Sequence, residues 1–321
     1  MSDRSAEFDR IHDLLAGLPA GERVIVGPGD DAAVLRPRDG FDLVVTTDTF
    51  VEGRHFRRDL LDAVGVGRRL AAANLSDLAA MAAQPRWAVF SCVAPRALAA
   101  GWLRDVEWAC AAALAADGAA VVGGNLSSGD GPCSFCVTLF GEVERGRHWT
   151  RSGGRPGDRL AVTGTPGRAA AALALASAGD APSPARVPAE LWEAYVSPPS
   201  RVRAALALAR AGGVRAAIDI SDGLFGDLAH LAAACGAGAV LRGESPGVPG
   251  GGAQERMGPS DDYELLLAIE PARYDDCARA AAAAGAPLTP IGELAEGGAL
   301  LLERTDGSRV PLRGAGWDHF G

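Results

Sequence analysis

The chain has no lysine: all 31 basic residues among its 321 are arginine. That absence removes several kinds of chemistry at once. A Walker P-loop needs the lysine of its GK[ST] run, and a protein-kinase fold needs one on its third strand. Schiff-base catalysis needs the amine as nucleophile. Histidine is scarce too, and His12, His55, His148, His230 and His319 show no HExxH spacing. Of the six cysteines, Cys133 and Cys136 form a CxxC inside "CSFCVTLFGEV", which reads as a strand. No second CxxC or nearby histidine pair completes a zinc site, so the cysteines are read as structural.

Long hydrophobic runs are also missing, and none reaches the ~18 residues of a membrane span. The N-terminus, "MSDRSAEFDRIHDLL", is charged and amphipathic, unlike a signal peptide. A net charge of -9 argues against nucleic-acid binding, which calls for a basic face. The expectation is a cytoplasmic protein with neither a membrane nor a nucleic-acid partner. Its 48% apolar and 22% charged residues are those of a globular chain, long enough for two domains with separate cores.

Strand-like runs are "FDLVVTTD", "RWAVFSCVAP", "AAVVGGN" and "SFCVTLFGEV", separated by Ala/Leu segments at 61–83 and 97–117 with helical periodicity. This β-α-β-α-β-β order predicts an α/β layer domain ending near residue 148. "RSGGRPGDRLAVTG" reads as a Gly/Pro-rich hinge entering a new strand. Beyond it the pattern predicts helices at 166–178, 189–211, 224–235 and 272–284, with strands "RAAIDI" and "YELLLAI" and short strands to the end. The Gly/Pro-rich stretch 241–260 is expected to be a mobile loop.

What the chain does have is carboxylates at turns after apolar strands: Asp30, Asp31, Asp48, Asp77, Asp219, Asp222, Asp261 and Asp262. Each alone has a plain explanation; Asp77 suits a solvated helix face, and Asp222 in "SDGL" suits a helix N-cap. Together they stand where α/β folds place ligands, and they would repel one another unless cations neutralised them. Oxygen ligands without cysteine or paired histidine point to Mg2+, which shares its shell with phosphate oxygens. Candidate phosphate cradles exist in "VVGGNLSSG", as backbone N–H groups after a strand, and in "TRSGGRPGD", where Arg151 and Arg155 sit on a Gly-rich segment. A solvated hinge is the plain alternative for both arginines. The chemistry implied is Mg-assisted phosphoryl transfer, and an acceptor that is itself a phosphate, already ionised at neutral pH, needs no general base.

At this point the order of motifs becomes specific: "GDDAAVL", "TTDTFVEGRHF", "AAANLSDLAAMAAQP", "VVGGN", "TRSGGRPGD", "DISDGL", "DDYELL" and a closing "GWDHF". The chain resembles the thiamine-monophosphate kinase family of the aminoimidazole-ribonucleotide-synthetase-like superfamily over nearly its whole length. The resemblance implies a layered α/β (α+β) fold of two domains. Residues 1–148 would bind ATP and Mg2+ and pair in a homodimer, and residues 149–321 would complete the active site. It implies ATP as co-substrate, several Mg2+ ions, and conversion of thiamine monophosphate to thiamine diphosphate.

Carried across residue by residue, it makes Asp30, Thr46, Thr47, Asp48, Asp77, Asn125, Asp219 and Asp222 metal ligands or their close neighbours. Gly124, Asn125, Arg151 and Ser221 would contact nucleotide phosphates, with Trp108 near the nucleotide. Asp48, Asp222 and Arg151 would carry the transfer. His55, Asp261, Glu264 and Trp317 would face thiamine monophosphate, an indole being suited to stack on a cationic heterocycle. The chain departs from the family pattern at Asn125, where an aspartate is usual, at Pro259-Ser260, where two glycines are usual, and across 241–257. Two alternatives stay open: a same-fold ATP-dependent enzyme with another small acceptor, and an inactive nucleotide- or thiamine-binding relative.

Overall fold

A computed structural model of the chain describes residues 15, 17–18, 21–28, 31–179, 181–242, 259–304 and 306–312. The candidate ligand Asp30, the candidate stacking residue Trp317 and most of the loop expected at 241–260 lie outside them. The chain divides into two compact units. One comprises Met1–Leu78, Gln84–Gly146 and Val196–Pro198; the other comprises Ala79–Ala83, Arg147–Tyr195 and Pro199–Gly321.

The first unit opens with a two-stranded antiparallel pair, β1 (Val24–Val26) and β2 (Val34–Leu35), which the sequence reading did not anticipate. Then come β3 (Phe41–Val51), α1 (Ala63–Ala80), β4 (Gln84–Pro95), α2 (Ala100–Ala116), β5 (Ala120–Gly129) and β6 (Ser134–Glu144), in the expected alternation. The sheet order is β3-β6-β4-β5, antiparallel except for β4 and β5, whose connection runs through α2. Strand period places alternate side chains on opposite faces. One face carries Phe50, Phe90, Phe135 and Val137, all buried, and the ring of Trp102 in α2 lies 6.1 Å from that of Phe135. The other face carries Leu43, Val45 and Val93, which are 47%, 53% and 42% exposed.

Helix α2 also buries Glu107 beside Cys110, and burial pushes its carboxyl up to about 7. The folded state then binds a proton more tightly than the unfolded one. Its contribution to stability is complete below the ordinary glutamate range and is lost as pH rises through about 7. Glu107→Gln should flatten this dependence and raise stability at pH 8 by about 3 kcal/mol, read by urea denaturation at pH 5 and pH 8. Parallel pH profiles of wild type and variant would contradict this assignment.

In the second unit, β7 (Arg159–Thr163) is followed by α3 (Arg168–Ser177), α4 (Ala189–Val196), α5 (Val202–Ala211), β8 (Val214–Ile220), α6 (Leu224–Cys235) and β9 (Gly238–Arg242). Then come β10 (Glu264–Ile269), α7 (Tyr274–Ala283), β11 (Leu288–Ala295), β12 (Leu300–Glu303) and β13 (Arg309–Pro311). One sheet takes all seven strands in the order β13-β12-β9-β11-β7-β10-β8, with only β12 and β9 parallel. Every residue of β10 is buried between β7 and β8, which explains its continuous apolar run. Leu224, Phe225, Leu228 and Leu231 of α6 pack on that sheet at helical spacing.

The single helix predicted at 189–211 is in fact two. Pro198 and Pro199 interrupt it, because proline lacks the N–H and clashes with the preceding turn, so α5 starts afresh after Arg201. Among the described residues, no helix is long and apolar enough to cross a membrane.

Candidate active site

Each unit presents a carboxylate cluster. In the first, β3 carries Thr46 and Asp48 on the face that meets α1, where the Thr46 hydroxyl donates to Asp77 Oδ2. Burial and the neighbouring charge of Asp77 together push the Asp48 carboxyl up to about 7. Two carboxylates forced this close form a site whose electrostatic penalty a cation would remove.

Strand register places two of the expected metal ligands or close neighbours on the other face of the sheet. Thr47 points to the opposite face, where its hydroxyl donates to the Val137 carbonyl at 3.1 Å and lies 3.1 Å from the Thr138 hydroxyl. Asn125 pairs with Ser91, Ser91 with Cys136, and Cys136 with Thr49, so its side chain shares the face of Thr47 and Thr49. Within one chain, neither side chain joins Asp48 and Asp77. Period two within "TTD" already separates Thr47 from Thr46 and Asp48.

The glycine-rich run expected after a strand instead lies within one. Gly123, Gly124 and Asn125 lie inside β5, which runs on to Gly129 beside β4. A Cβ on Gly124 would stand 2.1 Å from the Phe90 carbonyl oxygen, so this glycine admits a neighbouring strand. Asn125 Nδ2 donates to Ser127 Oγ at 3.2 Å. Trp108 lies on α2, 37% exposed, with the Arg104 guanidinium 4.9 Å from its ring centre.

His55 sits in the turn after β3. Its ring stacks on Phe50 with centroids 5.5 Å apart, and Nδ1 accepts the Val51 N–H at 3.0 Å. An accepting Nδ1 leaves the neutral ring's proton on Nε2, which is then a donor. Glu52, which the sequence reading passed over, braces this turn by accepting from Arg58 at 2.5 Å and from the Cys133 N–H at 3.3 Å.

In the second unit, the edge strand β8 ends in Asp219 and Ile220, Ser221 and Asp222 follow in a turn, and α6 begins two residues after Asp222. Asp219 is buried, whereas Ser221 and Asp222 are half-buried. Asp227, also overlooked in the sequence, sits buried in the first turn of α6 and accepts the Asp222 N–H at 3.2 Å. Burial and the charge of Asp222 push it up to about 7, against its backbone hydrogen bonds and Arg151, which pull down. Arg151 is therefore within electrostatic reach of this turn, and its side chain is exposed. An acidic residue in the first turn of a predicted helix was the available signal, since it can reach back to N–H groups ahead of the helix. Arg155, the other candidate phosphate arginine, is also exposed, and its N–H donates to Asp158 at 2.8 Å.

The "DDYE" run divides into different environments. Asp261 is half-buried, while Asp262 and Glu264 are buried. Glu264 accepts from Arg201 Nε and Nη2, each at 2.5 Å, and from the Thr163 hydroxyl at 2.6 Å. Its carboxylate thus serves an internal ion pair, which is not the substrate-facing position expected of it. Burial raises Asp262 to about 6, opposed by hydrogen bonds from Ala169, Gly167 and Ser260.

Among the described residues, no three His, Cys, Asp or Glu side chains form a group that could hold a metal ion unaided. Paired carboxylates with a hydroxyl nevertheless fit Mg2+, which is bound through one or two carboxylates and completes its shell with water and phosphate oxygens. On this donor chemistry the Asp48–Asp77 pair fits the ion.

Residues 29–143 match the family model for the AIR synthase related protein N-terminal domain, and residues 155–303 match that for the C-terminal domain. The thiamine-monophosphate kinase of Caulobacter vibrioides is 36% identical over 98% of this chain and 90% of its own length. The crystal structure of thiamine-monophosphate kinase from Stenotrophomonas maltophilia K279a superposes with a TM-score of 0.80 at 33% identity, covering 94% of this chain and 96% of that one. A structure of AaThiL complexed with AMPPCP and TMP superposes with a TM-score of 0.73 at 25% identity, covering 89% of each chain. With both domains matched and relatives this similar over almost its full length, the chain belongs to the thiamine-monophosphate kinase family.

Proposed function

We propose that the chain transfers the terminal phosphoryl group of ATP directly to thiamine monophosphate, giving thiamine diphosphate and ADP. The observation that carries this reading is the crowding of Asp48 against Asp77 beside Thr46, a hard-oxygen site suited to Mg2+. Support comes from the thiamine-monophosphate kinase relatives and from AaThiL, whose structure holds AMPPCP and TMP together.

Asp48 and Asp77 in the first unit, and Asp219 and Asp222 in the second, are the residues we assign to Mg2+. Bound Mg2+ would supply neutralisation of the charge on the phosphate chain during transfer. Arg151, exposed and able to make two parallel N–H bonds, suits the phosphates, and the Ser221 hydroxyl is a further donor to them. The Nε2–H of His55 suits an oxygen of the acceptor. Gly124, Asn125 and Trp108 remain assigned to the nucleotide, and Asp261 and Trp317 to the acceptor. The acceptor phosphate attacks as an anion, so no side chain needs to remove a proton. The test is ADP release from Mg-ATP: it should require both Mg2+ and thiamine monophosphate, and release indifferent to thiamine monophosphate would sink the reading.

We further assign the exposed face of the first unit's sheet to a homodimer. Leu43, Val45 and Val93 expose apolar surface there beside Thr47, Thr49 and Thr138, a composition suited to a second copy. Val45→Glu would bury a charge in that interface and should yield a monomer in sedimentation equilibrium. A variant still dimeric would contradict the assignment. The cytoplasm is the compartment we assign, in keeping with six free cysteines.

A further inference from the structure

Asp261 is the only residue from 260 to 269 that is not buried. The backbone on either side of it is held firmly. Before it, Ser260 Oγ accepts the N–H of Ala170 at 3.1 Å; after it, Asp262 accepts the N–H groups of Gly167 at 2.5 Å and Ala169 at 2.9 Å, all at the start of α3. Two residues beyond Asp262, Glu264 is fixed by Arg201 and Thr163.

Between these anchors stands Tyr263, with φ at 55° and its N–H donating to the Ile220 carbonyl at 2.9 Å. A left-handed conformation is rare for a bulky side chain and persists only where its surroundings over-determine it, a pattern associated with binding sites. Asp262, Tyr263 and Glu264 are all buried, and Asp261 beside them is half-buried.

We propose that Asp262, Ser260 and the left-handed Tyr263 form a positioning clamp that fixes Asp261 for recognition of the acceptor, a monophosphate ester whose ring system carries positive charge and N–H groups. The proposal rests on the kinase reading above and adds residues that determine specificity without touching the phosphates. Capping α3 alone would require Asp262 and Ser260 but not a tyrosine held in the left-handed region.

The test compares wild type, Asp262→Asn and Ser260→Ala in steady-state kinetics with each substrate varied, alongside amide hydrogen exchange of the Tyr263 N–H and of the α3 start. Asp262→Asn keeps the shape and removes one acceptor, so the KM for thiamine monophosphate should rise about tenfold. The KM for Mg-ATP and kcat should stay within about twofold. Ser260→Ala, a milder change, should move the same KM in the same direction with the melting temperature preserved. An acceptor KM unchanged in both variants overturns the clamp. So does a loss of kcat that tracks the fraction unfolded and affects both substrates alike, which is what capping alone would give. If wild type itself fails to turn over thiamine monophosphate, it is the kinase reading that fails. Exchange then decides the clamp: faster exchange of the Tyr263 N–H in Asp262→Asn supports it, and unchanged exchange, or faster exchange confined to Gly167 and Ala169, which capping alone would give, overturns it.

Discussion

Asp48→Asn should lower kcat by about 10²–10³-fold or more while leaving the fold intact, because the work assigned to this side chain is charge placement on a transferring phosphoryl group. The two halves of that expectation have different physical origins. Asp48 is crowded by burial and by Asp77, so in metal-free protein its charge is a liability, and the neutral amide of the same shape relieves it. The variant should therefore melt at or above the wild-type temperature without Mg2+. With Mg2+ and ATP, the wild type should gain stability by ligand linkage and the variant should gain much less. Activity and stability would thus move in opposite directions, which no loss of packing produces. Full activity in Asp48→Asn would remove the metal assignment, and a collapse in melting temperature would make Asp48 a structural residue.

The largest expected loss of stability lies elsewhere. Arg201→Ala should destabilise the second unit by about 3–5 kcal/mol, because it strands the buried Glu264 carboxylate without its cation. Glu264 is 5% exposed and Arg201 9%, and the two meet through paired hydrogen bonds of 2.5 Å. A loss of this size should lower the melting temperature by about 10 °C for a unit of this size. Adding Glu264→Gln to Arg201→Ala should recover part of the loss, since it removes the orphaned charge, although Glu264→Gln alone costs stability. A sub-additive double-mutant cycle measured by thermal melts is the expected result. Simple additivity would show that the pair does not couple, and Glu264 would return to the acceptor side.

These residues also show where sequence reading succeeds and where it stops. The alternation of β3 and β4 with α1 and α2 was legible because apolar period two and period 3.6 differ plainly in "FDLVVTTD" and in 97–117. The "DISDGL" turn was legible because an apolar strand stops and a helix with Leu224, Leu228 and Leu231 in register begins. What failed depended on pairing partners far apart in the chain. The "VVGGN" run looked like a phosphate loop, yet Gly124 is small because the carbonyl of Phe90, 34 residues earlier, lies against it. Glu264 carried the same acidic signal as Asp261, but Arg201, 63 residues away, claims it. Thr47, which the resemblance places among the metal ligands or their close neighbours, is set apart for a more local reason: the pleat turns its side chain away from Thr46 and Asp48. Asp227 escapes the sequence reading, and Asp262 is grouped there with the ligand candidates, because a carboxylate that holds backbone N–H groups looks, in sequence, like any other acid.

The measurement that bears most directly on the whole account is the identity of the product. Purified chain should be incubated with Mg-ATP and thiamine monophosphate, and thiamine diphosphate quantified by chromatography against reactions lacking each component. The account predicts thiamine diphosphate formed one-for-one with ADP, only when Mg2+, ATP and thiamine monophosphate are all present. Folded protein that binds ATP yet forms no thiamine diphosphate would contradict it.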